Sequence, residues 1–265
     1  MMSQYQTMQP LNSLSMWSLH GIHVSVIHYL STSIDTLNNN LECWRPCTLT
    51  MLAEELHIPN LVNLAYYFLF EQHFSDDPCD ASEIPLSECP WFNGSIHMFN
   101  SGCSRFYAPS NLSGIGGMQT EFIWFTLQWR NEGPWKDCIF ITIKLGNQES
   151  TEMQAFDIAH IHGFFSFTDT SGIHYPCTVI HWFDKVDDSP DEDTGMWIVQ
   201  PSYLHNHFPN FAVIHIDSIY CAAHLIPIYS TGYISQHIKP CNSYDAFHAF
   251  YVNKYVDHHA FELAS

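Results

Sequence analysis

Apolar positions follow a helical period near the N-terminal third of the chain. Leu61, Leu64, Ala65, Phe68 and Leu69 recur at three- and four-residue spacing, which predicts a helix with one buried face. Asn60 can cap it, and it runs to about His73. Before Pro59, Thr48 or Thr50 can cap a shorter helix through His57. From residue 138 onward the pattern shortens to strands. Residues 138–144 form a β-branched run, and 157–167, 175–183, 196–199 and 211–217 read as short strands broken by turns. Residues 91–107 suit a strand or hairpin turning at Asn93-Gly94, and Gly146-Asn147 marks another turn. A short helix is expected over 121–128, and a helix or strand edge over 219–229, where Pro227 limits any helix. Ser243 can cap a last helix over 244–263, with Phe247, Phe250, Tyr251 and Tyr255 on one face.

These elements predict an α+β protein. The expected core is a small, mainly antiparallel β-barrel or strongly bent sheet, with N-terminal helices and a C-terminal packing helix. The expected divisions are a poorly ordered lead-in (1–45), a helical segment (46–90) and a barrel-like domain (91–265) carrying the helix 243–263. The lead-in is rich in Ser, Gln, Asn and Thr, with room for one short strand or helix over 17–30.

Composition sharpens this picture. At 46% hydrophobic and 15% aromatic, the 265-residue chain can bury a sizeable core. Its charge is lopsided, with 27 acids against 8 bases and a net charge of −19. Such a surface repels a phosphate backbone, so direct nucleic-acid binding by this chain alone is disfavoured and a basic partner is favoured. Nine cysteines in a chain of this length do not read as a disulfide scaffold. No basic n-region precedes an apolar core at the start, and the apolar run at 22–30 is too short and too polar to span a bilayer. Reduced thiols, an intracellular location and no membrane partner are expected.

Several constellations could carry chemistry. His174, Cys177 and His181 have ligand-like spacing, although on a strand only Cys177 and His181 share a face. His205/His207, Cys221/His224 and His237/Cys241 are looser pairs. The loop 184–195 holds Asp184, Asp187, Asp188, Asp191, Glu192 and Asp193 without the frame of an EF-hand. Asp157, Asp184 and Asp217 stand near strand ends, the arrangement a metal-dependent nuclease would need. The glycines before Met118 lack the ending of a phosphate-binding loop, so a packed turn is the default. No nucleophile-elbow or cysteine-protease pattern is present, so no catalytic residue and no cofactor is expected. Tyr175, Trp182, Phe183 and Trp197 flank the acidic loop. With Asp191, Glu192 and Asp193 they have the ingredients of a cage for a cationic peptide.

The run Phe106-Tyr-Ala-Pro-Ser-Asn-Leu-Ser-Gly-Ile-Gly-Gly-Met118 resembles an element of proteins encoded by fungal Plavaka-type DNA transposons. Phe164-Phe-Ser-Phe167, Tyr175-Pro-Cys177, His181-Trp-Phe183, Pro190-Asp-Glu-Asp-Thr-Gly-Met-Trp197, Ala222-Ala-His-Leu-Ile-Pro227 and Tyr251-Val-Asn-Lys-Tyr-Val-Asp-His-His-Ala260 continue it in order. The resemblance covers about residue 84 to the end. It implies the C-terminal part of such a protein, without the transposase catalytic core. The stretch 121–135 departs from the family's more basic pattern, since Phe122, Trp124 and Phe125 stand there. The strand order ending in His-Trp-Phe and an acidic loop is also similar, at the level of fold, to bromo-adjacent homology domains of chromatin proteins. Together these resemblances imply a non-catalytic accessory module in the nucleus rather than the cytoplasm, engaging chromatin protein, such as a histone, or another basic peptide. A nucleic-acid-associated domain with a residual transposase role and a metal-dependent nuclease remnant are the alternative readings.

Overall fold

The computed structural model describes residues 48–74, 84–108, 110, 116–130, 133–143, 153–229 and 238–265, and the backbone of three short N-terminal strands. Those strands are β1 (Ser15–Leu19), β2 (Ile22–Val26) and β3 (Tyr29–Ser31). Two helices follow, α1 (Leu49–Leu56) and α2 (Leu61–His73). Thr48 caps α1 by accepting from the Met51 amide at 3.3 Å, and His57 ends it in the left-handed region. Asn60 occupies the cap position of α2 but makes no side-chain cap bond.

The chain then forms β4 (Ile96–Phe99), β5 (Ser101–Tyr107), β6 (Met118–Thr126), β7 (Trp135–Lys136) and β8 (Cys138–Thr142). Two long strands, β9 (Phe156–Thr168) and β10 (His174–Lys185), form the centre. After them come β11 (Ile198–Pro201), β12 (Phe211–His215), β13 (Ile219–Ala223) and β14 (Leu225–Pro227). The C-terminal segment supplies α3 (Ser243–Ala246), β15 (Phe250–Val252) and α4 (His258–Leu263).

The architecture is α+β, with antiparallel strands wrapped into a nearly closed, barrel-like sheet. The nine-stranded sheet runs β13-β8-β9-β10-β11-β15-β14, with β12 added to β10 and β4 to β9. Its two ends, β13 and β14, are separated in sequence by His224 alone, so the sheet must curl back towards itself. A second sheet has the order β3-β5-β6-β7. One face of the β9–β10 ribbon meets α1 and α2 through Phe165, Phe167, Tyr175, Cys177 and Val179. The other face, with Ala159, Ile161, Phe164 and Ile180, packs on Ile123, Phe125, Ile139 and Ile141. A bulge places Gly163 opposite Val179 and Ile161 opposite Ile180, leaving His162 as the additional residue. Thr178 secures that kink by donating to the Gly163 carbonyl at 3.0 Å.

Three expectations change and a fourth narrows. Residues 91–107 are not a hairpin, because β4 pairs with β9 and β5 with β6. Residues 121–128 lie mostly in β6: Ile123 and Phe125 face the core while Phe122 and Trp124 face away, the period of a strand. Over 219–229 the strand-edge alternative holds and the helix does not: β13 and β14 are the two ends of the sheet order. The helix over 244–263 is replaced by α3, β15 and α4. Phe250 and Val252 are buried and hydrogen-bonded between β11 and β14, so two open sheet edges outcompete a helical stripe. The C-terminus still packs against the barrel through His259 and Leu263 of α4. Gly116 and Gly117 have positive φ of 63° and 79°, in keeping with a tight turn. Residues 109 and 111–115 of that loop, Gly146-Asn147 and His237 lie outside the described residues.

Candidate functional site

The antiparallel register builds a polar pocket at one end of the central ribbon. Phe183 pairs with Ile158 and Trp182 with Ala159, so Asp184 and Asp157 are the next residues along the register. Trp182, Asp184, Ala159 and Asp157 therefore fall on the same face. A cavity of about 470 Å³ opens there, lined by Asp157, Trp182, Phe183, Asp184, Lys185 and Asn210. Trp182 is half-buried, its inner part packing beside Ile180, Ala212 and Ile214. Its backbone is clamped: the Trp182 amide donates to the Asn210 carbonyl at 3.0 Å and its carbonyl accepts from the Ser202 amide at 2.8 Å.

Asp157 is half-buried, and burial raises its pKa, with Lys185 opposing that shift and Asp184 adding to it. Lys185 donates to the Met153 carbonyl at 2.9 Å and lies 5.9 Å from the Trp197 ring. Its ammonium thus serves Asp157 and the interior at once. Asp184 stays exposed at the rim. The pocket offers an indole face and an excess of negative charge, a setting for a lysine or arginine side chain.

The other expected site residues do not join this pocket. Tyr175 is buried, in ring contact with Phe68 of α2 at 5.9 Å and Phe167 at 5.4 Å. Trp197 is buried in the core beside Phe183 and Val199, its indole nitrogen enclosed without a hydrogen-bond partner. Asp191 folds the loop: it accepts from the Thr194 amide at 2.9 Å and hydroxyl at 2.7 Å, which holds its carboxyl below the usual range. Glu192 and Asp193 are exposed at the tip of that turn. The loop is tied to the C-terminus by Tyr255, which donates to the Thr194 carbonyl at 2.9 Å. The cage expected from Tyr175, Trp182, Phe183 and Trp197 is therefore reduced to Trp182 with the Phe183 backbone, because alternation sends Tyr175 and Phe183 into other layers. Asp157 and Asn210 complete the pocket. Asp157 carried a signal in its place at a strand end, whereas Asn210 carried none.

His174, Cys177 and His181 are strung along β10. Seven residue steps separate the two histidines, roughly 23 Å of strand. Cys177 is buried under the helices, its thiol on the Tyr175 carbonyl at 3.6 Å. His181 faces elsewhere, its Nε2 at 2.8 Å from the Ser202 carbonyl. Asp217 is paired with His215 at 3.4 Å. Among the described residues no group of three or more His, Cys, Asp or Glu could hold a metal ion.

A histidine cluster forms instead on the opposite face of the ribbon, at the bulge. The His160 and His162 rings are 4.9 Å apart, and His162 is 6.2 Å from His181. The Tyr244 ring lies 4.5 Å from His160, and the Lys136 Nζ is 3.2 Å from His162 Nδ1. Burial lowers the pKa of all three histidines, to about 3 for His160. The sequence spacing His-x-His on a strand was visible, but Lys136 and Tyr244 reach it only through the tertiary fold.

Comparison with known protein families, with curated proteins and with solved structures gives no match. No helix among the described residues is long and apolar enough to cross a membrane.

Proposed function

We propose that this chain is a non-catalytic interaction module that takes a basic segment of another protein. The single observation behind this reading is the pocket where the half-exposed Trp182 stands beside Asp157 and Asp184. A cation over an indole contributes about 0.5–2 kcal/mol, more as water is excluded. The chain's −19 charge would draw a basic partner from a distance and favour fast association. The resemblance to transposon-encoded proteins and to bromo-adjacent homology domains makes a transposon origin and a nuclear, chromatin-associated partner such as a histone tail part of this proposal.

The test is fluorescence anisotropy with labelled lysine- and arginine-rich peptides, including histone tails, against the full chain. Saturable, salt-weakened binding that drops by roughly three- to thirtyfold in Trp182→Ala, and also weakens in Asp184→Asn, supports the reading. Binding that ignores both substitutions, or none at all from a folded sample, refutes it. Salt-sensitive binding of duplex DNA without peptide binding would favour a residual nucleic-acid role.

A further inference from the structure

The pocket at the end of the β9–β10 ribbon sets two carboxylates against each other, and that discriminates between cations. Asp157 and Asp184 come next after Ile158 and Phe183 in the antiparallel register, where facing side chains have Cβ atoms about 4.5–5.5 Å apart. Like charges at that spacing repel, and burial and Asp184 both raise the Asp157 pKa. Lys185 relieves this only in part. It follows Asp184 on β10, so alternation sends it to the other face, where its amine donates to the Met153 carbonyl at 2.9 Å. Among the described residues that line the cavity, no other is basic.

The aromatic part of the pocket is a single indole. Trp182 lines the cavity half-exposed, whereas the Phe183 ring is turned into the core, 5.8 Å from Phe250. Tyr175 and Trp197 are buried in other layers. Asn210 fixes the adjacent wall: its amide donates to the Ser202 carbonyl at 3.0 Å and its side-chain nitrogen to the Ser202 hydroxyl at 3.2 Å. The backbone bonds that clamp Trp182 run to the same two residues, so ring and wall are held together.

Three cations use such a site differently. A quaternary methyl-lysine has no N–H to give the carboxylates and takes its affinity from a cage of several rings, of which one is present. A lysine ammonium is a compact, strongly hydrated point charge, which loses water to gain one ring face. A guanidinium is planar and more weakly hydrated, with five N–H donors along its edges. Its face fits the Trp182 indole while its edges donate to Asp157 and Asp184. We infer that the pocket of Trp182, Asp157 and Asp184 selects arginine over lysine and methyl-lysine. This rests on the basic-segment reading and narrows it to an arginine-bearing partner.

Anisotropy against the full chain at low ionic strength tests this. Fluorescein-labelled Gly-Ser peptides of equal length carry arginine, lysine, trimethyl-lysine or citrulline at the same positions. The arginine peptide is expected to bind roughly tenfold tighter than the lysine peptide, the trimethyl-lysine peptide to bind more weakly than both, and the citrulline peptide not to bind. Asp184→Asn, at an exposed position, should bring arginine and lysine to within about threefold of each other, and Trp182→Ala should do the same. Unchanged circular dichroism would verify the fold of each variant. Equal affinity for arginine and lysine, tighter binding of trimethyl-lysine, citrulline binding as well as arginine, or an arginine preference that survives both substitutions each overturns the assignment. Equal arginine and lysine binding that still depends on Trp182 leaves the basic-segment reading standing, whereas no binding of any peptide by a folded sample overturns both.

Discussion

Protonating His160 should unfasten the fold under mild acid. The ring is buried at 6% exposure, and its Nε2 has no hydrogen-bond partner. Lys136 and His181 face it with like charge, Tyr244 lies over it, and burial lowers its pKa to about 3. An unfolded histidine titrates near ~6.5. The folded-state pKa is depressed, so the unfolded chain binds the proton first and stability falls as pH drops below ~6.5. Between pH 7 and pH 5 the linkage costs about 2 kcal/mol from this residue alone. His162 is shifted in the same direction by burial, His160, Lys136 and His181, so it adds to the loss. A hydrogen bond with the Lys136 backbone opposes the shift of His160, while Asp245 favours the charged forms of Lys136 and His181 and so keeps their repulsion in place. Urea unfolding at pH 7.0, 6.0 and 5.0 reads the stability directly. In His160→Phe the loss over that range should shrink by about 2 kcal/mol, whatever constant offset the new ring introduces. An unchanged slope in His160→Phe would refute the reasoning.

Phe250→Ala should cost about 3–5 kcal/mol, because the ring is fully buried between two strands; a lowered urea midpoint checks it, and a cost below 1 kcal/mol would speak against β15 as a core strand. Asp191→Ala should loosen the acidic turn by removing both bonds to Thr194, seen as faster proteolytic nicking between residues 187 and 195 with little change in melting temperature. Cys138, Cys177 and Cys221, whose thiols burial pushes up, should resist alkylation in the native protein at pH 8, while the half-buried Cys241 is labelled ahead of them, as peptide mass spectrometry would show. Thr178→Val should cost about 1 kcal/mol by orphaning the bulge carbonyl of Gly163, measurable as a shift in urea midpoint.

The sequence by itself determined the elements whose apolar period is unambiguous. The α1 helix follows from its Thr48 cap and α2 from its three- and four-residue spacing, and β8, β9 and β10 from β-branched and aromatic runs. The acidic balance and the bent, antiparallel, mostly β architecture were legible for the same reason: they are sums over local pattern. Local pattern failed where aromatics crowd. Phe122 to Phe125 and Phe247 to Tyr255 satisfy a helical stripe and a strand alternation almost equally, and sheet edges present in space decided for strands at β6 and β15. Only the tertiary structure determined which aromatics are core and which are surface. Tyr175 and Trp197 were taken inward by α2 and by β11, while the register of β9 against β10 set Trp182 beside Asp157 and Asp184. The fold also brought Lys136 and Tyr244 onto His160 and His162. The pairings of Trp182 with Asp157 and of Lys136 and Tyr244 with the β9 histidines join residues tens of positions apart, and register and packing between elements, which no single segment encodes, fix them.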